Sequence, residues 1–518
     1  MKSNKARLSY EDTPALQKAR SHFLNENYSQ SLRGFEKEAK RQPNNIMALT
    51  DAARAFGQRF EIDKALRYVK RMLSIAGDNA EVLLLAGQSL RMSYRGKEAM
   101  ECMVKASKME NSPDLCFLEM AVLAERNHDL ELSYDSVERY LHRNANSPEA
   151  LLLKARILRR QKETSSAEEI YQNIYARSST AEITKAQTLN EWSHLLDEQG
   201  DYEKAFSTLL ESKKYLSNLP ETNTAKERSA YESQWTQKLN ESITKEHITR
   251  WEQVGSSSKH PTVLLTGCPR SGTTLIEKIL DAHSEIISAD ELNAFAGSIL
   301  PTLLKEISKS GADHNVSVLE NLSLMDIEKE GRRYSRYLSS ALNEKIGNRT
   351  LIDKNPSLTF HIAASLRVWP QNKILYALRD PRDIAVSCFY RWLPINSVSV
   401  RYLTAEDTCK RTSEELKCWL KLREIIPQER WLETRYEDTV ENYTKESQKV
   451  ISWLGLDWED SISDYKNHLR ERGVNSPTYE AVNKPIYKGA IGRWRNYAAH
   501  FEQHFPHLQE VIEKLEYD

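Results

Sequence analysis

Small residues stand at Ser31, Ala65, Ala99, Ser133 and Ala167, each thirty-four positions after the last. Four residues beyond each comes a larger side chain, at Phe35, Val69, Met103, Val137 and Tyr171. Positions i and i+4 share one helix face, so the pattern describes a helix whose small residue admits a close neighbour while the larger one fills the space beyond. A repeat of this length holds two helices and their turns. Such a unit cannot bury its apolar face alone and must stack on copies of itself. Pro43, Pro113 and Pro148 fall near unit ends, and a sixth unit, Gly200 to Phe206, follows with a shift of four residues. The first half of the chain is therefore expected to be a solenoid of helix pairs, whose concave face suits a peptide or protein partner.

The second half reads differently. Thr262 to Leu275 gives a short apolar run, a tight polar loop and a helix start. Val263 to Leu265 suit a buried parallel strand, Gly272 permits close backbone approach, and Thr273 and Thr274 place hydroxyls beside free helix N-terminal amides. With Arg270 and Ser271 ahead of them, these residues make an anion cradle that needs no metal. The loop is not a Walker A element, because Gly272 is followed by Thr273 where that element has a lysine. A second strand, turn and helix runs from Lys373 to Ser387. Arg379 at the strand end and Ser387 two helical turns later can meet one phosphate at the helix N-terminus, and Arg391, one turn beyond, can reach it too. A third stretch, Pro485 to Trp494, combines glycines, cations and aromatics just before a final amphipathic helix, as a mobile basic flap would.

Two resemblances follow from these residues. The thirty-four-residue period is that of tetratricopeptide repeats. The loop Pro269-Arg270-Ser271-Gly272-Thr273-Thr274 resembles the 5′-phosphosulfate loop of sulfotransferases, whose co-substrate is 3′-phosphoadenosine 5′-phosphosulfate. That resemblance implies that Arg379 and Ser387 hold the 3′-phosphate. The catalytic half is most similar to protein-tyrosine sulfotransferases, since Arg270 stands where cytosolic small-molecule enzymes usually carry lysine, and Glu291 aligns with a glutamate base where they use histidine. On the same resemblance Arg270 and Lys354 are the two catalytic cations, and Tyr436 contacts the donor. Arg493 stands where that family has a donor-binding lysine, and Thr478 where it has a serine. Asp290 is a rival base. The implied fold is α + α/β: a tetratricopeptide solenoid over residues 14–245, then a P-loop-like parallel-sheet sulfotransferase domain over residues 259–518. Gly255-Ser256-Ser257-Ser258 is the expected linker, Trp235 and Trp251 the expected packing points between the halves, and the segment from about 295 to 350 the expected acceptor pocket.

Other features narrow the partners. A net charge of −1 gives no reason to expect nucleic acid. The six cysteines show neither paired metal spacing nor a disulfide framework, so no metal is expected and a reducing compartment is the simpler reading. His283 and His361 have no partner at metal-ligand spacing and read as structural, while Asp380, Arg382 and Asp383 read as turn and cap residues. No apolar run approaches the roughly 20 residues needed to cross a bilayer, and the N-terminus has no secretory h-region, so a cytoplasmic protein is expected. That differs from the membrane-anchored animal protein-tyrosine sulfotransferases and leaves the acceptor open. The expected activity is sulfonate transfer to an acceptor hydroxyl, with protein tyrosine a candidate. The alternatives are a P-loop kinase or nucleotidase, and a tetratricopeptide adaptor without turnover.

Overall fold

The computed structural model describes residues 8–254, 262–308, 315–342, 344–356, 358–465 and 488–517. Its contacts divide the chain into two compact units, Met1–Ile157 with Ser335–Glu344, and Leu158–Tyr334 with Lys345–Asp518. Among the described residues no helix is long and apolar enough to cross a membrane.

The N-terminal region is a succession of six helix pairs, beginning with Pro14–Leu24 and Tyr28–Arg41 and ending with Glu182–Glu198 and Tyr202–Ser217. The period is visible in the packing. Ser31, Ala65, Ala99, Ser133, Ala167 and Ala205 are all fully buried. Where the small residue is serine, its hydroxyl must find an acceptor inside the helix pair. Ser31 Oγ donates to Ala19 O and Ser133 Oγ to Ala121 O, each at 2.8 Å. The period is also visible in the backbone. Glu26, Phe60, Tyr94, His128 and Lys162, thirty-four apart, all take positive φ between 57° and 71°, and Gly200 serves the sixth pair. Each of these residues closes the turn within a pair. The next amide bonds five residues back, as Glu61 N does to Phe56 O and Arg95 N to Leu90 O, both at 2.9 Å. This satisfies carbonyls at the first helix's end. Left-handed geometry costs a non-glycine residue roughly 1–2 kcal/mol, so its recurrence at five positions shows that helix pairing sets the turn.

The second unit is built on five parallel strands: β1 (Thr262–Gly267), β2 (Ile286–Ser288), β3 (Thr350–Lys354), β4 (Lys373–Leu378) and β5 (Trp431–Arg435). Their order is β2-β3-β1-β4-β5. Both faces are covered, as an all-parallel sheet requires. One face packs Val263, Leu265, Ile352 and Leu375 against Ile276, Ile279, Val450 and Ile451. On the other, Tyr376 stacks on Trp419 with ring centroids 4.1 Å apart. The chain runs from β1 to β2 and β3 on one side, then crosses to β4 and β5 on the other. Ligands of open parallel sheets bind at such a reversal, outside the strands' C-terminal ends.

The compact unit that carries the sheet also contains the last repeat helices. Trp235 lies 6.3 Å from the His361 ring, and the Arg367 guanidinium sits 5.7 Å from the ring of the buried Trp251. His283 is structural: its Nε2 meets Asp457 O at 2.8 Å and its Nδ1 accepts from Glu285 N at 3.0 Å. Burial pushes the His361 pKa down to about 4, so that ring is neutral. All six cysteines are buried free thiols. The expected linker at 255–258 lies outside the described residues.

Candidate active site

The loop after β1 is shaped by two left-handed residues, Arg270 (φ 73°) and Gly272 (φ 96°). Ser271 N closes the turn onto Cys268 O at 3.1 Å, and Thr273 starts an eight-residue helix, Thr273–Leu280. A Cβ on Gly272 would come within 2.6 Å of Tyr436 Cδ2, so this position needs glycine for space as well as for φ. Tyr436 begins the helix after β5 and in turn lies under Arg379, whose guanidinium is 4.6 Å from the ring centroid. Arg379 donates to Arg270 O at 3.0 Å, and Arg270 Nε donates to Ser387 Oγ at 3.0 Å. The ends of β1, β4 and β5 are thereby tied together.

These residues line a cavity of about 290 Å³. Of the residues singled out in the sequence, Arg270, Gly272, Thr273, Thr274, Glu291, Arg379, Ser387, Arg391, Tyr436 and Arg493 face it. Ser271 and Lys354 do not line it, and Thr478 lies outside the described residues. Among the described residues none from 295 to 350 lines this cavity, so the expected acceptor segment contributes no wall here.

The two ends of the cavity differ in charge balance. At one, Lys354 is completely buried, with its ammonium 2.8 Å from Glu291, 3.0 Å from Asp290, 3.3 Å from Glu277 and 3.5 Å from Thr274 Oγ1. Burial opposes its charge, but Glu277, Asp290 and Glu291 outweigh burial and hold its pKa above the usual lysine range. At the other end, Arg270 has no carboxylate within ion-pairing distance among the described residues. Burial, then Arg391 and Arg379, push its guanidinium down to about 10. Beside it Ser271 Oγ is buried without a hydrogen-bond partner. A half-buried cation without a counter-ion and a helix N-terminus form a site short of negative charge. The donor set fits a phosphate or phosphosulfate. Among the described residues no three His, Cys, Asp or Glu side chains are placed to hold a metal.

Several site features were not legible in the sequence. Asp383, read as a cap residue, accepts from Gly492 N and Trp494 N, both at 2.8 Å, and so docks the C-terminal segment. Arg379 also donates to Ala490 O there, and Arg382 stacks 4.2 Å from the Trp494 ring. Asp380 caps the helix after β4 by accepting from Arg382 N at 2.9 Å. Arg493 pairs with Asp197 at 2.6 Å, and His194 lines the cavity; both partners come from the last repeat pair. The period explains that helix's packing face and carries no signal for these contacts.

The profile of the sulfotransferase family matches residues 261–460, the span that contains the sheet and most of the cavity wall. Residues 261–460 are a sulfotransferase-family domain. Relatives agree. An uncharacterized protein of Aquifex aeolicus is 26% identical over 337 residues, 62% of this chain and 41% of that protein. Protein-tyrosine sulfotransferase 2 of Gallus gallus is 24% identical over 278 residues, 51% of this chain and 71% of that enzyme. The chain thus spans less than half of the first relative. Among solved structures, the sulfotransferase domain of the Synechococcus PCC 7002 olefin synthase is 22% identical, covering 51% of this chain and 96% of that one at a TM-score of 0.35. Within the sulfotransferase domain, β1, its loop and the Arg379–Ser387 segment form the anion-deficient end, and the β2 and β3 ends form the carboxylate-rich end.

Proposed function

We propose that the chain transfers a sulfonate group from 3′-phosphoadenosine 5′-phosphosulfate to an acceptor hydroxyl, with tyrosine in a peptide or protein as the acceptor. The observation that carries this reading is the uncompensated Arg270 beside Ser387 and the Thr273 helix N-terminus, in one cavity with Glu291. Arg270, Ser271, Gly272, Thr273 and Thr274 take the 5′ end of the donor, and Arg379, Ser387 and Arg391 the 3′-phosphate. Tyr436 and Arg493 complete the donor site among the described residues.

In the reaction the bond between sulfur and the bridging oxygen of the 5′-phosphate breaks, and a bond from the acceptor oxygen to sulfur forms. Glu291 takes the acceptor's proton, and 3′-phosphoadenosine 5′-phosphate leaves with the electron pair of the broken bond. Charge accumulates on the bridging oxygen and on the sulfonate oxygens, where Arg270 and Lys354 stabilise it. Glu277 and Asp290 share the Lys354 ammonium with Glu291, whose carboxylate is oriented by a 2.8 Å contact to it. Residues 14–245 form the repeat array that engages a protein or peptide, and residues 259–518 the catalytic domain.

The test is transfer of label from a sulfur-labelled donor to tyrosine peptides by wild type and by Glu291→Gln. Label on the tyrosine oxygen, lost in the variant, is the expected result. Release of phosphate from ATP dependent on magnesium, without sulfonate transfer, would place the chain among kinases or nucleotidases. Nucleotide binding without any turnover would make it an adaptor.

A further inference from the structure

His194 belongs to the repeat helix Glu182–Glu198, yet its ring lines the cavity of the sulfotransferase domain. It lies at the Arg391 end. Its ring centroid is 6.1 Å from that of Tyr390, and Asn190, one turn earlier on the same helix, donates from Nδ2 to Tyr390 O at 3.1 Å. One turn later, Asp197 holds Arg493 at 2.6 Å. The helix is therefore fastened to the cavity wall on both sides of His194. The His194 ring shares the cavity wall with Ser387, Arg391 and Arg493, and the Arg391 and Arg493 charges both act on it. Burial holds its pKa to about 4, with Arg159, Arg493 and Arg391 adding to that effect against Glu191. The ring is consequently neutral at physiological pH, with one N–H to donate.

We infer that His194 is a donor-binding residue supplied by the repeat array, hydrogen-bonding the 3′-phosphate of the nucleotide alongside Ser387 and Arg391. The inference rests on the donor reading proposed above. Its physical basis is a neutral imidazole N–H on the same cavity wall as Arg379, Ser387 and Arg391, where those residues would put a phosphate. A neutral imidazole suits that place. It adds a hydrogen bond without adding a fourth positive charge to a cluster that already lowers the Arg270 pKa. The last repeat helix then contributes twice, through His194 to the anion and through Asp197 to the orientation of Arg493. In consequence, nucleotide occupancy and the packing of the last repeat are linked, because ligand binding stabilises whatever it contacts.

The experiment is calorimetric titration of the full chain with 3′-phosphoadenosine 5′-phosphate and with adenosine 5′-monophosphate, for wild type, His194→Ala and His194→Gln. His194→Ala, which loses one hydrogen bond to a charged group, should weaken the 3′-phosphorylated nucleotide by about tenfold or more. The monophosphate should bind all three proteins equally, and His194→Gln, which keeps an N–H donor, should retain most of the affinity. Equal affinity of wild type and His194→Ala for the 3′-phosphorylated nucleotide would overturn the inference while leaving the donor reading intact. Equal losses for both nucleotides would also overturn it, by making the effect structural. A wild type that does not prefer the 3′-phosphorylated nucleotide would overturn the donor reading itself.

Discussion

Two cations at the same sheet edge live in opposite surroundings. Lys354 at the end of β3 is buried among three carboxylates, whereas Arg270 after β1 faces Arg379 and Arg391 with a hydroxyl as its hydrogen-bonded partner. Lys354 is settled without a ligand. Arg270 is not, and an anion would relieve it. The contrast teaches how one cavity can hold two electrostatic environments; on the function proposed above, the carboxylate-rich end takes the acceptor proton and the anion-deficient wall takes the donor. Lys354 does not itself line the cavity, but Glu291 and Thr274, which do, both touch its ammonium.

The comparison is broken most severely at Glu291. Glu291→Gln should lower turnover by at least ~10²-fold with donor affinity retained, because a positioned base supplies about that factor; steady-state rates beside calorimetry would check both halves. Asp290→Asn should cost clearly less, and the reverse order would make Asp290 the base. At the opposite wall, Arg270→Ala should weaken 3′-phosphoadenosine 5′-phosphate by about 10- to 10²-fold, the loss of one or more charged hydrogen bonds. The same variant should be no less stable than wild type without ligand, since it removes an uncompensated cation; a large drop in unliganded Tm would show that Arg270 is structural.

The loop after β1 was legible because its residues are contiguous. Strand, Arg270, Gly272 and helix start lie within a dozen residues, and Arg379 precedes Ser387 by two turns. The repeats were legible because their period is rigid, down to the left-handed turns at Phe60 and Tyr94. What stayed hidden is tertiary. Glu277 looked like an ordinary residue of the first helix, and only the fold brings it 3.3 Å from Lys354. Asp383 has the look of a helix-start carboxylate and instead accepts from two amides more than a hundred residues away. His194 and Asp197 sit in a segment whose periodicity already has a packing explanation, so no residual signal marked them.

Smaller effects sharpen the comparison. Gly272→Ala forces a Cβ against Tyr436 at a φ of 96°, and should cost about 1–2 kcal/mol from backbone geometry alone. Thermal melts should show a lower Tm, and donor affinity should fall with it because Tyr436 supports Arg379. Arg382→Ala removes a stacking contact on Trp494 and a paired charge with Asp380, at about 1 kcal/mol or less. It should loosen the C-terminal segment, read as faster hydrogen exchange near Trp494, while turnover changes little.

The most direct measurement is calorimetric binding of 3′-phosphoadenosine 5′-phosphate against ATP, each with and without magnesium. The anion-deficient wall predicts preference for the 3′-phosphorylated nucleotide, independent of the metal and lost in Arg270→Ala. Preference for ATP that requires magnesium, or equal binding by wild type and Arg270→Ala, would contradict it.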